Sequence, residues 1–402
     1  MAERKGIRYQ TMSKKTLVIV IFGDFTLLEN GSHKRFAELV RWADRNFPDV
    51  AVYSFSDHSS HPWTPQAIER FENAFPRVRL ILDRAGPAVK LIARVKNMAL
   101  QLMPFLARQI LRLSVPFATP HYAAIRRRAN DHLVIVNFVD GLAWLNGFAF
   151  KEFAIETHDI KFRKFALRYD LPETHARIRG KYRSEKALLS LSPMLVAISW
   201  SDAEQLGRMA PDSLRLFIPS YKEDQGAAIP PSEGKKRYDL LFVGANNNFN
   251  VDGLAAFLAA NRPWLAKRPI AVAGAVCTAE PILRLAADWP SLNLLGYVED
   301  LPATFAATKA TLTPVEGTGL KIKMLEALEH GKPVFASDSA RAGLPPGHGA
   351  CVFGLDRRTI ETLLDDPNAL SAAELAAFQF HAILSDPPDR ARFKVWIESA
   401  LG

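Results

Sequence analysis

Short, wholly apolar runs separated by longer stretches of helical periodicity recur along almost the whole chain, and this alternation constrains the fold more than any other feature. A strand covered by helices on both faces is apolar throughout, so the pattern belongs to parallel sheets wrapped by helices. Such runs stand at 16–22 (TLVIVIF), 50–55 (VAVYSF), 78–83 (VRLILD), 132–138 (HLVIVNF), 152–157 (EFAIET) and 194–198. Six strands with helices between them predict one doubly wound domain. In the first connection, Phe36, Leu39, Val40 and Ala43 share a helical face, with Ser32 as the expected cap.

The alternation stops once. Residues 217–238, FIPSYKEDQGAAIPPSEGKKRY, are rich in Pro, Gly and charge and lack apolar periodicity, as a linker does. A second series follows at 238–244 (YDLLFVG), 269–274 (PIAVAG), 291–296 (SLNLLG), 310–314 (ATLTP) and 332–337 (KPVFAS). The expected fold is α/β, two Rossmann-like domains facing each other across a cleft. The expected divisions are 1–218, a linker at 219–237, a second domain at 238–388, and a helix at 389–402 that returns to the first domain.

Composition excludes several classes. Only Cys277 and Cys351 are present, so no disulfide framework, CxxC pair or cysteine zinc site is available, and a reducing cytoplasm is expected. The N-terminal MAERKGIRYQTMSKK is basic and polar, and the apolar run after it is too short for a signal peptide or a bilayer span. Residues 1–218 carry 33 Lys/Arg against 21 Asp/Glu, and 219–402 carry 18 against 21, so the two halves face different partners. Residues 84–130 hold nine basic side chains and no acid. Apolar residues from Leu91 to Leu113 lie between those charges. A membrane-surface patch, a polyanion groove and ordinary core helices with solvated arginines all fit this segment. Basic and apolar residues interleaved at helical spacing favour contact with anionic lipid. Aromatic residues are not clustered with the arginines, so no nucleic-acid partner is expected.

Ligands of open α/β sheets bind beyond the carboxyl ends of the strands. Three loops of the second half are informative there. FVGANNNFN combines a tight turn at Gly244 with the uncharged donors Asn246, Asn247, Asn248 and Asn250, and also reads as a plain Asn-rich turn. LLGYVEDLP offers backbone groups at Tyr297 and Val298 to the edge of a flat base, while Asp300 serves equally as a helix cap. GTGLKIKMLEALEHGKPVFAS, 317–337, puts Lys321 and Lys323 at the mouth of a helix, where the macrodipole is already positive. Glycines that admit close approach, free amides and two lysines make an anion site suited to two phosphates. Glu326, farther along, can accept two hydroxyl bonds from a ribose. Alternatively both lysines are solvated and Glu326 is a helix partner of Lys323.

The series FVGANNNFNVDGL, AVAG, LLGYVEDLPATFAATKATLTP and GTGLKIKMLEALEHGKPVFAS resembles the donor domain of GT-B-type, retaining, sugar-nucleotide-dependent glycosyltransferases over residues 238–340. The first half resembles that family in layout, with SEKALLSLSPMLVAISWSDAEQL similar to its segment ahead of the linker. The resemblance implies a nucleoside-diphosphate sugar in the cleft as substrate, with no other cofactor. Its base lies near Tyr297 and Val298, its ribose on Glu326, and its diphosphate at Gly319, Lys321 and Lys323, with Thr318 and Leu320 also among the expected donor-binding residues. The expected acceptor is a glycan or lipid-linked glycan on the N-terminal domain, and the basic segment 84–130 together with the cysteine usage makes the inner face of the cell membrane, on the cytoplasmic side, the expected location. Many relatives carry two glutamates separated by seven residues; here the first position is Thr318, and Glu316 lies two residues too early.

A transition state of this kind develops negative charge on the β-phosphate, which fixed amides and lysines stabilise. Lys323 is thus an expected catalytic residue. His158, beyond a strand end in IETHDIKFRKF, is a second candidate, with a purely structural histidine as the alternative. Asn30 and Gly31 are weaker candidates for the opposite wall. No D-x-D pair, HExxH, GxSxG or P-loop pattern occurs, and no metal site is expected. A catalytically silent sugar-nucleotide or glycan-binding module and a nucleotide-sugar epimerase are the rival readings.

Overall fold

The computed structural model describes residues 16–28, 31–223 and 236–402. Seven parallel strands form the first sheet: β1 (Thr16–Val20), β2 (Val50–Phe55), β3 (Arg79–Asp83), β4 (His132–Asn137), β5 (Phe153–Thr157), β6 (Met194–Ala197) and β7 (Leu214–Phe217), in the order β3-β2-β1-β4-β5-β6-β7. The second sheet has six: β8 (Tyr238–Val243), β9 (Ile270–Ala273), β10 (Leu292–Gly296), β11 (Thr308–Thr313), β12 (Val334–Ala336) and β13 (Val352–Phe353), in the order β10-β9-β8-β11-β12-β13. Each sheet is wound outward in both directions, from β1 and β4 in the first and from β8 and β11 in the second. Those two switch points are where such sheets open a crevice for ligands.

The continuous apolar runs are explained by burial on both faces. Along β1, Val18 and Val20 enter one core while Leu17, Ile19 and Ile21 enter the other. Period-2 alternation thus separates two apolar sides rather than an inside from an outside.

Two strands correct the sequence reading. The first sheet has seven strands rather than six, because Leu214–Phe217 pairs with β6 at the sheet edge. Phe217 therefore belongs to a strand and not to the linker. The second sheet gains the two-residue edge strand β13, which pairs with β12. The first helix, Gly31–Asn46, already contains Ser32, which is therefore not its cap.

The chain ends on the first domain. In the helix Pro388–Leu401, Phe393 and Ile397 are fully buried in the core that holds Leu17 and Trp42. Phe393 stacks on Trp42 with centroids 5.7 Å apart. Asp389 Oδ2 accepts the Phe217 amide at 2.8 Å. Two apolar side chains buried this way stabilise the docking by roughly 1.5–3 kcal/mol each.

Candidate active site

At the second switch point, three strand ends meet through glycines. The Gly274 amide donates to the Gly296 carbonyl at 2.7 Å, and a Cβ on Gly274 would stand 2.5 Å from the Gly244 carbonyl oxygen. With φ of +92° as well, position 274 admits no side chain, and the loops after β8, β9 and β10 are drawn into one rim. Asn247 caps the helix Asn248–Leu265, its Oδ1 accepting the Asn250 amide at 3.1 Å. Asn248 is the exposed first residue of that helix. Asn250 turns inward: its Nδ2 donates to the Ala245 carbonyl and its Oδ1 accepts from Lys323 Nζ at 2.7 Å.

The loop after β11 leads into the helix Ile322–Glu329, so Lys321 is the N-cap residue and Lys323 lies in the first turn. No side chain caps this helix start, and only the Met324 amide is taken up locally, by the Lys321 carbonyl at 2.8 Å. Lys323 lies half-buried above the Phe242 ring, 4.0 Å from its centroid. Burial and the neighbouring Lys321 bring its pKa down to about 7. Lys321 Nζ donates to the Thr318 carbonyl at 2.7 Å. Burial lowers its pKa too, against the pull of Asp159, Asp202 and Glu316. Two desolvated cations side by side gain most from a shared anion.

Gly319 presses this loop against the first domain. Its φ is +75°, and a Cβ there would meet Asp159 Oδ1 at 2.7 Å and the His158 carbonyl at 3.5 Å. Asp159 in turn pairs with Lys164 at 2.6 Å. A cavity of about 180 Å³ lies between Asp159, Lys164, Asn247, Thr318 and Lys321. Leu320 is buried beside the loop, in the core that contains Met324. Glu316 accepts from Ser339 Oγ and lines the same cavity as Thr318 and Lys321.

His158 is buried between Phe36 and Phe138, with ring centroids 4.9 and 4.3 Å away. Burial first, then Arg35, Lys161 and Lys164, hold it well below the usual imidazole range, so it is neutral. Asn137 Nδ2 donates to the Val20 carbonyl, which directs Asn137 Oδ1 to His158 Nε2 at 3.1 Å. Nε2 therefore carries the proton and Nδ1 is left as the acceptor.

Glu326 does not bond Lys323. It makes an ion pair with Lys34 of the helix Gly31–Asn46, across the cleft. This pair borders a cavity of about 470 Å³ between the domains. Gly31 abuts Ile322, and Asn30 lies outside the described residues. Tyr297 is 87% exposed and Val298 lies next to it, after the positive-φ Gly296. The Asp300 carboxylate caps the following helix by accepting the Ala303 amide at 2.9 Å. Among the described residues no cluster of three metal-ligating side chains occurs.

Residues 237–373, which hold the glycine rim, both lysines and Glu326, match the family described as Glycosyl transferases group 1. Over that stretch the second domain is similar to a family of glycosyltransferases. HepE of Anabaena, solved with UDP, is 15% identical with a TM-score of 0.58, over 96% of this chain and 99% of that one. Sucrose-phosphate synthase of Thermosynechococcus elongatus is 13% identical with a TM-score of 0.61, over 96% and 98%. TarM is 9% identical with a TM-score of 0.61, over 97% and 99%. At these identities the likeness is one of fold, GT-B with two Rossmann-like domains. No curated protein matches the glycosyltransferase by sequence.

The basic segment forms the helices Pro87–Leu102, Ala107–Arg112 and Pro120–Arg127 on the first domain of this glycosyltransferase. Val89, Ala93 and Leu100 of the first helix are buried, yet Leu91, Val95, Met98 and Leu102 are exposed. Phe105 and Phe117 are exposed to 79% and 99%. Lys96, counted among the nine cations, is fully buried and donates to the Leu145 carbonyl at 2.8 Å, so it contributes nothing to a surface charge. Among the described residues no helix is long and apolar enough to cross a membrane.

Four side chains of the site escaped the sequence reading in whole or in part. Lys34 gives no local signal, because its partner is 292 positions away. Asn137 and Phe138 end an unremarkable strand. Asp159 was visible beside His158, but its proximity to Gly319 arises only from the packing of the two domains.

Proposed function

We propose that this glycosyltransferase takes its sugar from a nucleoside-diphosphate sugar, with retention and without a metal ion, and passes it to a glycan or lipid-linked glycan. The observation that carries the reading is Lys323: a half-buried cation at an uncapped helix start, held by an amide oxygen instead of a carboxylate. Such a cation awaits an anion, and the diphosphate leaving group is one. As the glycosidic bond to the β-phosphate breaks, charge grows on the phosphate oxygen, and the amides of the 318–323 loop with Lys321 and Lys323 stabilise it. UDP bound to HepE supports a nucleotide in the corresponding cleft. His158, neutral with Nδ1 as acceptor, suits a bond from a sugar hydroxyl.

The exposed apolar stripe at 91–102 with Phe105 and Phe117, bordered by Arg94, Arg108 and Arg112, supports peripheral contact with an anionic membrane from the cytoplasmic side. Nucleoside diphosphates of each base, tested for thermal stabilisation, decide the donor reading. One or more should raise the melting temperature, and its sugar conjugate should be hydrolysed slowly without added metal. No shift with any base at millimolar concentration overturns the assignment.

A further inference from the structure

At the first switch point, beyond β1, β2 and β4, lies a cavity of about 280 Å³ that none of the donor-site residues enters. Its volume is at the small end of the ~300–1,000 Å³ range of ligand pockets, room for one sugar ring rather than an extended chain. The rings of Phe22 and Phe55 lie parallel on one side, centroids 5.0 Å apart and planes within 8°. Trp144 and Phe138 line it too. Two carboxylates and two ammonium groups also line it: Asp57 with Lys90 at 3.6 Å, and Asp140 with Lys161 at 3.4 Å.

We infer that this cavity is the acceptor subsite and that it takes one uncharged pyranose ring. The inference rests on the transferase reading above. Aromatic faces suit the C–H faces of a pyranose, and carboxylates suit its hydroxyls. The cation and anion counts of the lining cancel, so it exerts no net pull on a phosphate or a carboxylate. Both ion pairs are longer than a hydrogen bond, which leaves carboxylate lone pairs for hydroxyl donors. Asp57 Oδ1 already accepts the Ala85 amide at 2.6 Å, so its Oδ2 is the available oxygen.

Position supports the assignment. Phe138 has a φ of +64°, in the left-handed region that a bulky residue rarely enters. The strain is held by its amide bond to the Glu156 carbonyl at 3.0 Å and by the Gly141 amide, which donates to the Phe138 carbonyl at 3.0 Å. It sets the ring 4.3 Å from His158 and 3.9 Å below Lys161 Nζ. The cavity is thus one aromatic ring from His158, and the His158 carbonyl abuts the phosphate loop at Gly319. Phosphate loop, His158, Phe138 and cavity follow one another, the sequence that a transfer between two sugars needs. Phe138 is a positioning residue in this arrangement.

Saturation-transfer NMR with methyl gluco-, galacto- and mannopyranosides, in the presence of the stabilising nucleoside diphosphate, tests the assignment. At least one glycoside should receive saturation, and Trp144→Ala and Asp140→Asn should each weaken it about tenfold or more. Asp140 is exposed, so Asp140→Asn keeps the test sound if Trp144→Ala fails to fold. The nucleotide-induced thermal shift should survive in the folded variants. Three results overturn the assignment: no neutral glycoside binds the wild type, binding persists undiminished in Asp140→Asn, or glucose 6-phosphate binds better than every methyl glycoside. Loss of the nucleotide shift in the wild type would instead refute the donor reading, independently of the cavity.

Discussion

Lys323 Nζ lies 2.7 Å from Asn250 Oδ1, and these two residues, 73 positions apart, join the helix after β8 to the helix after β11. An amide oxygen orients the ammonium group without cancelling its charge. The cation is consequently placed but not neutralised, which costs burial energy that a bound anion recovers.

Proton uptake follows from that relationship. Burial and Lys321 bring the Lys323 pKa down to about 7, and a diphosphate beside it must raise that value. Well below pH 7 the lysine is already charged and adds no pH dependence of its own. Above pH 7 binding must recruit a proton, so affinity falls by up to tenfold per pH unit until the raised pKa is reached. Calorimetry at pH 8 in buffers of different ionisation enthalpy should show net uptake of a proton, and Lys323→Met should abolish it. That variant should also bind about 10–100-fold more weakly while melting no lower than the wild type, in line with a charged hydrogen bond of ~1.5–3 kcal/mol. Identical proton uptake in both proteins would assign the titration elsewhere.

Lys34 and a ribose compete for the same carboxylate if Glu326 holds the nucleoside. Lys34→Ala should therefore tighten binding of a ribonucleoside diphosphate by a few-fold, the scale of an exposed ion pair worth ~0.2–1 kcal/mol. Binding of the 2′,3′-dideoxy analogue, which has no ribose hydroxyls to offer, should gain nothing. An equal gain for both nucleotides would show that Lys34 acts on the phosphates or on domain closure.

Replacing Gly319 should affect both domains. Gly319→Ala places a methyl group 2.7 Å from Asp159 Oδ1 at a φ of +75°, so the loop or Asp159 must move. The expected stability cost is about 1–3 kcal/mol. The added strain lies between the phosphate loop and Asp159, so nucleotide affinity should fall together with stability. Differential scanning calorimetry with and without nucleotide measures both, and an unchanged affinity would exclude the loop as a phosphate ligand.

Membrane contact should depend on charge and on apolar side chains separately. Arginines near an anionic surface contribute about 1 kcal/mol each, so Arg94→Glu, Arg108→Glu and Arg112→Glu together should remove several kcal/mol of attraction. Leu102→Ser, Phe105→Ser and Phe117→Ser together should weaken binding that high salt does not release. Vesicle sedimentation reads both, and equal partitioning of the wild type to neutral and anionic vesicles would reject the lipid reading.

Where the sequence was legible, burial had written it. Runs such as VAVYSF and HLVIVNF are apolar because both sheet faces are covered, and no other environment tolerates them. β7 was missed for the opposite reason: Leu214 and Arg215 are exposed at a sheet edge, and the strand runs directly into proline-rich chain. β13 is only two residues long and carries no periodicity at all. Within the site, Lys321, Lys323 and Gly319 were legible because a helix start is a local feature. The Asn250–Lys323 bond was half legible, both residues standing out but not their relationship. The Lys34–Glu326 pair was illegible, since it exists only once two separately folded sheets have met.

The return of the last helix to the first domain restricts how the enzyme can move. The chain passes between domains after β7 and again between Ser385 and Pro388, and Arg390 Nη1 ties these crossings together by donating to the Lys222 and Ser385 carbonyls, each at 2.7 Å. One guanidinium thus clasps Lys222, near the end of the first domain's own strands, to Ser385, the last residue of the second domain's long helix, so the two domains are pinned to each other at this corner by the closing helix itself.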